Sequence, residues 1–283
     1  MLVLRTTAAL VEWRRGIDDQ KVAFVPTMGF LHRGHVSLME EARARVPKGE
    51  GSVIVSIFVN PSQFNDPQDL ASYPRDEAGD LEKSAAADID VVFVPDDPRE
   101  VFSKRSRTWV NVKGLDEILC GFRRPGHFKG VCTVVAKLWN LVRPDFTVFG
   151  QKDFQQLAII RQMHEDLFLS GEVASVPIVR EIDGLAMSSR NARLTQNSRR
   201  AALEISTFLG SLPARVAAGE RSVAELLSDA GAQMSGGELE YAEIRDALSL
   251  RSIEFLMTPC VCVVAATYGG VRLIDNIVLN PGH

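Results

Sequence analysis

KVAFVPTMGFLHRGHVSL, residues 21–38, is the stretch that decides the fold of this chain. An apolar run, 21–27, leads through a glycine-containing loop into a helical segment, and His32, Gly34 and His35 form the pattern His-x-Gly-His at this handover. A helix that begins near His35 offers unpaired backbone N–H groups and a positive dipole end. Both imidazoles lie on one side at helical spacing and can donate hydrogen bonds. The stretch predicts a strand–loop–helix unit that binds phosphate, with a turn carrying surface histidines as the alternative.

The same alternation of apolar runs and helical segments continues through the first two-thirds of the chain. Strands are predicted at 21–27, 52–60, 88–95, 145–150 and 172–180, and helices at 37–46, 76–87, 131–142 and 154–169. Near-continuous Val, Ile and Phe strands separated by helices indicate a parallel sheet covered by helices on both faces. Ligands of such sheets collect beyond the carboxyl ends of the strands. Residues 32–35, 60–64 and 150–153 follow three of these strands and are expected at the site.

The character of the chain changes past Asp183. Helices are predicted at 196–218 and 222–234 and strands at 239–246, 260–268 and 271–279, with a hairpin turn at 269–272. This pattern indicates a smaller α+β unit. The predicted fold class is α/β, a Rossmann-like parallel sheet with helices on both faces, followed by a C-terminal α+β domain. The predicted domains are residues 1–180 and 181–283.

Composition narrows the classes of function. The chain has 283 residues, 46% hydrophobic and 24% charged, which is ordinary for a globular protein large enough for two domains. A net charge of -4 argues against a general nucleic-acid binder. No apolar run reaches the length of a membrane span, and the amino terminus is charged too early for a signal peptide, so we expect a cytoplasmic protein. The four cysteines are too few and too unevenly spaced for a disulfide framework, and Cys260 and Cys262, which alternate along a predicted strand, are expected to be buried thiols.

FGQKDFQQL, residues 149–157, places three functional side chains after a predicted strand. Lys152 is a point cation suited to a phosphate that gains charge during reaction. Asp153 suits a ribose hydroxyl or a metal, and Gln156 can orient a neutral or carboxylate substrate. The structural alternative is a helix start with Asp153 as its N-cap.

Two further segments concentrate anion-binding groups. GLAMSSRN, residues 184–191, offers Ser188, Ser189 and Arg190 as a mobile clamp that closes over an anion, although a capped helix start would use the same residue types. RRPGHFKGV, residues 123–131, favours a rigid anion-facing loop, with a solvated surface as the alternative, because four cationic or titratable groups adjoin Pro and Gly: Arg123, Arg124, His127 and Lys129.

Six motifs in order carry a resemblance to a known family. They are PTMGFLHRGH (26–35), IFVNPSQF (57–64), YPRD (73–76), RPGHFKGVCTVV (124–135), FGQKDFQQL (149–157) and VREIDGLAMSSRN (179–191). Over nearly its whole length the chain resembles the pantoate–β-alanine ligases. That family belongs to the superfamily of nucleotidyltransferases and class I aminoacyl-tRNA synthetases, whose His-x-Gly-His signature and mobile loop correspond to residues 32–35 and 187–190.

The resemblance implies a two-step ligation. ATP and pantoate give pantoyl adenylate and pyrophosphate, and β-alanine then displaces AMP to give pantothenate, without a protein nucleophile. It implies ATP and Mg²⁺ as cofactors, a homodimer and a C-terminal lid domain. The implied phosphate contacts are His32, His35, Lys152, Ser188, Ser189 and Arg190. Further ATP contacts are Met28, Gly150, Asp153, Val179 and Met187, and pantoate contacts are Gln63, Gln156, Met28 and Val135.

The sequence departs from the family pattern at two places. The family usually has Leu-Glu-Gly before RPGHF, and Cys120 stands here in place of that Glu. A pair of acidic residues associated with Mg²⁺ often follows YPR, and here the positions read Gly79 and Asp80, so Asp80 is the one expected metal ligand. Two alternatives remain open: a nucleotidyltransferase that leaves the nucleotide on its product, and a non-catalytic nucleotide-sensing module.

Overall fold

The computed structural model describes residues 1–282, which form two compact units. The first comprises Met1–Gln151 and Ile159–Pro177, and the second comprises Lys152–Ala158 and the chain from Ile178 onward. The second unit therefore includes a short piece of chain from the middle of the sequence. The domain boundary after residue 180 stays a prediction.

The first unit is built from six strands and the helices between them. Its strands are β1 (Leu2–Leu4), β2 (Lys21–Thr27), β3 (Gly51–Ile57), β4 (Val91–Phe93), β5 (Phe146–Gly150) and β6 (Glu172–Val176). Its helices are α1 (Thr7–Gly16), α2 (Arg33–Arg45), α3 (Pro67–Ala71), α4 (Glu77–Ala86), α5 (Leu119–Arg123), α6 (His127–Val142) and α7 (Phe154–Asp166), the first turn of which belongs to the second unit. Short 3₁₀ helices cover Pro61–Gln63, Pro98–Glu100 and Gln151–Asp153.

The six strands form one parallel sheet in the order β1-β4-β3-β2-β5-β6. Strand β2 is central, and its apolar residues 22–25 are fully buried. The chain leaves β2 toward β3 on one side and pairs β2 with β5 on the other, so the strand order reverses there, as at the ligand-binding switch point of open α/β sheets. Thr27 pairs with Ile57, and continuing the β2–β5 register sets half-buried Gly150 beside Thr27. The loops after these three strands therefore start at one edge of the sheet, and the predicted fold class is confirmed.

Several boundaries differ from the predictions for local reasons. Strand β3 ends at Ile57 instead of residue 60, because Asn60 caps the 3₁₀ helix Pro61–Gln63. Helix α2 begins at Arg33, earlier than expected, because His32 is its N-cap. Strand β1 and helix α1 were not predicted. Strand β1 is short, and it adds to the edge of the sheet beside β4.

The second unit packs helices on a small antiparallel sheet. It contains α8 (Gln196–Ala217), α9 (Val223–Leu227), α10 (Ala230–Gln233), the 3₁₀ helix Ser189–Arg193, and strands β7 (Glu238–Asp246), β8 (Cys260–Tyr268) and β9 (Val271–Leu279) in the order β7-β8-β9. The predicted β8–β9 hairpin turns at Gly269 and Gly270, both with positive φ. The predicted helix 222–234 is two short helices. In the described part of the chain, no helix is long and apolar enough to cross a membrane.

Candidate active site

The His-x-Gly-His loop is held by hydrogen bonds between its own imidazoles and backbone. The backbone N–H of Gly34 donates to Nδ1 of His32 (3.2 Å), and the N–H of His32 donates to Nδ1 of His35 (3.3 Å), which closes a capping box at the start of α2. The two rings lie 4.0 Å apart between centroids. Because each Nδ1 accepts, the neutral rings carry their proton on Nε2. Each ring therefore carries its N–H on the side away from the helix backbone, and the expected contact of these groups with phosphate stays a prediction.

Asp80, at α4, fixes the residues that precede this capping box. Its carboxylate accepts the backbone N–H groups of Phe30 (Oδ2, 2.8 Å) and Leu31 (Oδ1, 2.6 Å), and the residue is 1% exposed. Gly29 has φ +78°, and a Cβ there would lie 2.8 Å from Oδ2 of Asp80, so only glycine allows this approach. Burial raises the pKa of Asp80 above its usual range. Asp80 thus ties the loop after β2 to the helix beside it.

This environment does not fit Asp80 as a ligand of Mg²⁺. Both carboxylate oxygens already accept backbone N–H groups, and the charge of Lys83, whose Nζ donates to the carbonyl of Gly79 (3.2 Å), also favours the ionised carboxylate. Within residues 1–282, no group of three or more His, Cys, Asp or Glu side chains is arranged to hold a metal ion. Mg²⁺ is commonly held by one or two carboxylates together with substrate phosphates and water, so a buried carboxylate whose two oxygens each hold a backbone N–H is a poor partner.

A buried amide cluster follows β3 at the same edge of the sheet. Asn60 donates through Nδ2 to Oε1 of Gln63 (3.0 Å) and to the carbonyl of Gly130 (3.2 Å), and Nε2 of Gln63 lies 3.0 Å from Sδ of Met28. Asn60 is fully buried and Gln63 is 8% exposed. The structure thus brings Met28 and Gln63 together, as expected for the pantoate contacts. Asn60 belongs to the segment 60–64 that was expected at the site, but the sequence assigned it no individual role, although an Asn before Pro is a recognisable cap signal.

Helix α6 holds the backbone of Gln63 from the other side. The Nδ1–H of His127 donates to the carbonyl of Gln63 (2.7 Å), and Arg124 donates to the same oxygen (3.3 Å). A Cβ on Gly130 would lie 2.4 Å from the carbonyl oxygen of Ser62, so α6 sits as close to this turn as a glycine permits. Two of the four groups predicted to face an anion therefore position the Gln63 turn.

The other predicted residues on α5 and α6 make contacts of other kinds. Val135 is buried on the same helix. Lys129 lies over the ring of Trp109 (5.0 Å from Nζ to the centroid), and the Arg123 guanidinium lies over Phe122 (5.7 Å). Cys120 is buried in α5.

In the second unit, Lys152 and Asp153 lie in the turn before α7, and Gln156 lies in the first turn of that helix. Nζ of Lys152 lies 3.9 Å from Oδ2 of Asp153, and Gln156 is half-buried. The backbone carbonyl of Lys152 accepts a hydrogen bond from Nδ2 of Asn276 (2.9 Å). The structure therefore groups a cation, a carboxylate and an amide on one short segment.

Residues 179–191 form a hairpin that ends in a capped 3₁₀ turn. The N–H of Met187 donates to the carbonyl of Val179 (3.0 Å), which brings these two residues together. Oγ of Ser188 accepts the N–H of Arg190 (3.2 Å) and caps the helix Ser189–Arg193. Ser188 therefore makes the contact that the capping alternative predicts, while its expected contact with phosphate stays a prediction. Ser189 is buried and Arg190 half-buried, and their role as an anion clamp stays a prediction.

Comparison with known proteins agrees with the motifs. The chain matches the family model of the pantoate-beta-alanine ligases over residues 2–278. It is 48% identical to the pantothenate synthetase of Anaeromyxobacter dehalogenans over 260 residues, which cover 90% of each chain. It is 44% identical to that of Heliobacterium modesticaldum over 285 residues, which cover 99% of this chain and 100% of the relative.

Solved structures give the same result. The crystal structure of pantothenate synthetase from Thermus thermophilus superposes with a TM-score of 0.91 at 38% identity, covering 98% of this chain and 99% of that chain. Pantoate-beta-alanine ligase from Francisella tularensis, described as complexed with β-γ ATP and β-alanine, superposes with a TM-score of 0.82 at 33% identity, covering both chains fully. The resemblance drawn from the six motifs is confirmed, and the chain belongs to the pantoate–β-alanine ligase family.

Proposed function

We propose that this chain condenses pantoate with β-alanine at the expense of ATP, through a pantoyl adenylate, and releases AMP and pyrophosphate. Family membership over residues 2–278 and a relative complexed with an ATP ligand and β-alanine support the ligase activity and the binding of ATP. The observation that carries the proposal is the Asn60–Gln63–Met28 cluster beside the His-x-Gly-His loop. The His-x-Gly-His loop and the turn that carries Asn60 and Gln63 follow the neighbouring strands β2 and β3 at one edge of the sheet, which supports adjacent binding of phosphate and of a small acid.

In the first step, a carboxylate oxygen of pantoate attacks the α-phosphorus of ATP. The new O–P bond forms as the bond from the α-phosphorus to the bridging oxygen breaks, and pyrophosphate leaves with that electron pair. The Nε2–H groups of His32 and His35 donate to phosphate oxygens as their charge grows, and the family resemblance supports Lys152, Ser188, Ser189 and Arg190 as further phosphate contacts. Donors set in place before the reaction lower its barrier because they need little reorganisation.

Pantoate binds through neutral groups in this scheme. The side-chain amides of Gln63 and Gln156 hydrogen-bond pantoate, and Met28 and Val135 contact its methyl groups. Hydrogen bonds from neutral amides leave the carboxylate nucleophilic, whereas a close ion pair with arginine would stabilise its negative charge and make it a weaker nucleophile. The nucleoside contacts are Gly150, Asp153, Val179 and Met187.

In the second step, the amine of β-alanine attacks the acyl carbon of the adenylate. The C–N bond forms, the bond from that carbon to the AMP oxygen breaks, and the amine loses a proton as the amide forms. No protein nucleophile takes part. The chain contributes position and exclusion of water, which protects the adenylate from hydrolysis.

Mg²⁺ enters this proposal as a companion of ATP. It would neutralise triphosphate charge through phosphate oxygens and water, because Asp80 does not fit as its ligand. A homodimeric state, a cytoplasmic location and a lid function for the C-terminal domain complete the proposal, and these rest on the family resemblance and the composition of the chain.

Pyrophosphate exchange into ATP tests the function directly. Exchange that requires pantoate supports the ligase, exchange without pantoate supports a nucleotidyltransferase, and no exchange supports a nucleotide sensor. His35→Ala and Lys152→Ala should each reduce exchange by about a hundredfold or more, since each removes a donor aimed at developing charge. Arg33→Ala is the matched control, because Arg33 lies between the two histidines at the start of α2 but is exposed and pairs with Glu40. Near-native exchange in both site variants would overturn the residue assignment.

A further inference from the structure

Two adjacent polar residues on β9 are buried although neither lies in a motif of the site. Asp275 is 5% exposed and Asn276 is 4% exposed, on a strand whose other residues are mostly apolar. A buried carboxylate or amide is costly unless its hydrogen bonds are satisfied. Their partners therefore indicate what these two side chains are for.

Asp275 holds the hairpin that leads to Ser188–Arg190. Its Oδ2 accepts from Nη1 of Arg180 (2.6 Å) and its Oδ1 from Nη2 (3.0 Å), a two-point ion pair. Arg180 also donates to the carbonyl of Gly184 (3.1 Å) and pairs with Ala186 across the hairpin. Two-point pairing fixes the guanidinium plane as well as its distance. Asp275 thus fixes the position of Arg180 in the hairpin, and the chain continues from this hairpin into residues 187–190.

Asn276 holds the turn that carries Lys152. Its Nδ2 donates to the carbonyl of Lys152 (2.9 Å), and its backbone N–H donates to Oδ1 of Asp275 (2.8 Å). Successive side chains of a strand point to opposite faces, so neighbouring residues can hold two different segments. The Lys152 turn and the Arg180 hairpin are therefore both held by hydrogen bonds to two adjacent residues of β9.

We propose that Asp275 and Asn276 are positioning residues for adenylate formation. Asn276 sets the turn from which Lys152 extends, and Asp275 sets the hairpin that continues into Ser188, Ser189 and Arg190. This inference rests on the proposed function, because it takes Lys152 and residues 188–190 as phosphate contacts. Neither Asp275 nor Asn276 touches a reacting atom in this scheme.

A double-mutant cycle on pyrophosphate exchange tests the role of Asn276. Asn276→Ala should lower the exchange rate by about tenfold or more, since a shift of about 1 Å in a catalytic group is enough for such a loss. In a Lys152→Ala background the same change should alter the rate by less than about twofold, because residues that act through one group are not additive. Asn280→Ala is the matched control, since Asn280 is exposed just beyond the strand.

Amide hydrogen exchange supplies a readout that does not depend on catalysis. Asn276→Ala should raise exchange across residues 151–156, and Asp275→Asn should raise it across 184–191, while Asn280→Ala changes neither. Asn276→Asp, of nearly equal volume but with the donor replaced by an acceptor, gives the same test if the alanine variant does not fold.

Two results would overturn the inference: unchanged amide exchange in the 151–156 and 184–191 segments, or an equal loss of activity from Asn276→Ala in both backgrounds. If Lys152→Ala keeps native activity, the assignment of Lys152 fails. In that event raised amide exchange at 151–156 still supports the positioning contact, and unchanged exchange rejects it.

Discussion

Asp80→Asn is the substitution that best separates a loop-holding carboxylate from a metal ligand. The change removes the charge, keeps one acceptor for the N–H of Leu31 or Phe30, and places an NH₂ group against the other. One buried backbone N–H is therefore left facing a donor. We expect the residues that lead into His32 and His35 to lose their fixed position.

The magnitude follows from the two hydrogen bonds. A hydrogen bond to a charged group contributes about 1.5–3 kcal/mol, and one of the two is lost. Burial of the ionised carboxylate opposes this, as the raised pKa of Asp80 indicates, and the asparagine avoids that cost. A net loss of about 1–2 kcal/mol in the free energy of unfolding is expected at neutral pH, within the usual range for loss of one such bond.

Lowering the pH should increase this difference. Because burial raises the folded pKa of Asp80, its proton linkage stabilises the fold fully below the ordinary pKa of about 3.9 and is lost as the pH rises through the folded value. Asparagine does not titrate. The gap in stability between the native protein and Asp80→Asn should therefore widen as the pH falls from neutral into this acid window.

Urea unfolding and pyrophosphate exchange at varied Mg²⁺ together measure the effect. We expect Asp80→Asn to lower stability and exchange rate while the Mg²⁺ concentration for half-maximal exchange stays within about twofold, since in the proposed function phosphate oxygens and water would hold the ion. Glu82→Gln is the control, an equivalent change at an exposed position of the same helix. Native stability with a greatly raised Mg²⁺ requirement would refute the reasoning and identify Asp80 as a metal ligand.

Three further changes test other parts of the structure. Gly130→Ala should lower the free energy of unfolding by about 1–3 kcal/mol and weaken pantoate binding, because its Cβ would meet the carbonyl of Ser62. Gly210→Ala, which has open space in α8, should leave the free energy of unfolding unchanged or raise it. The same urea and exchange assays measure both variants. Burial raises the pKa of Cys132 to about 12, so a thiol reagent at pH 8 should leave Cys132 unmodified until urea unfolds the protein; labelling in the native state, read by peptide mass spectrometry, would contradict this. Cys120→Glu should change exchange little and lower the melting temperature, since it adds a carboxylate at a buried position; a gain of tenfold, about 1.4 kcal/mol of barrier, would instead show that the missing glutamate matters.

The parallel sheet was predictable from the sequence because its signal is local. Buried strands such as 21–27 and 145–150 are runs of apolar residues, and the helices between them require parallel pairing. The family could also be predicted, since its six motifs are contiguous stretches in order. The edges of the elements were less accessible, because His32 and Asn60 end or begin elements through side chains that bond back to the backbone.

The supporting contacts of the site were not predictable in the same way. Asp80 is a residue type that often binds metals, and only its buried hydrogen bonds to the backbone of Phe30 and Leu31 show that it holds the loop after β2. His127 and Arg124 carry cationic or titratable groups typical of an anion site, yet they contact a carbonyl more than 60 residues away in sequence. Such pairings depend on how distant segments pack, which no short pattern records.

Because the second unit is discontinuous in sequence, it limits which fragments of this protein can fold on their own. A fragment expressed from residue 178 onward would lack Lys152–Ala158, although these residues pack as part of the same unit. The buried amide of Asn276 would then have lost its carbonyl partner. A linker that rejoins residues 152–158 to the fragment should restore solubility and folding that simple truncation does not, so the useful boundary for dissection is set by contacts and not by chain order.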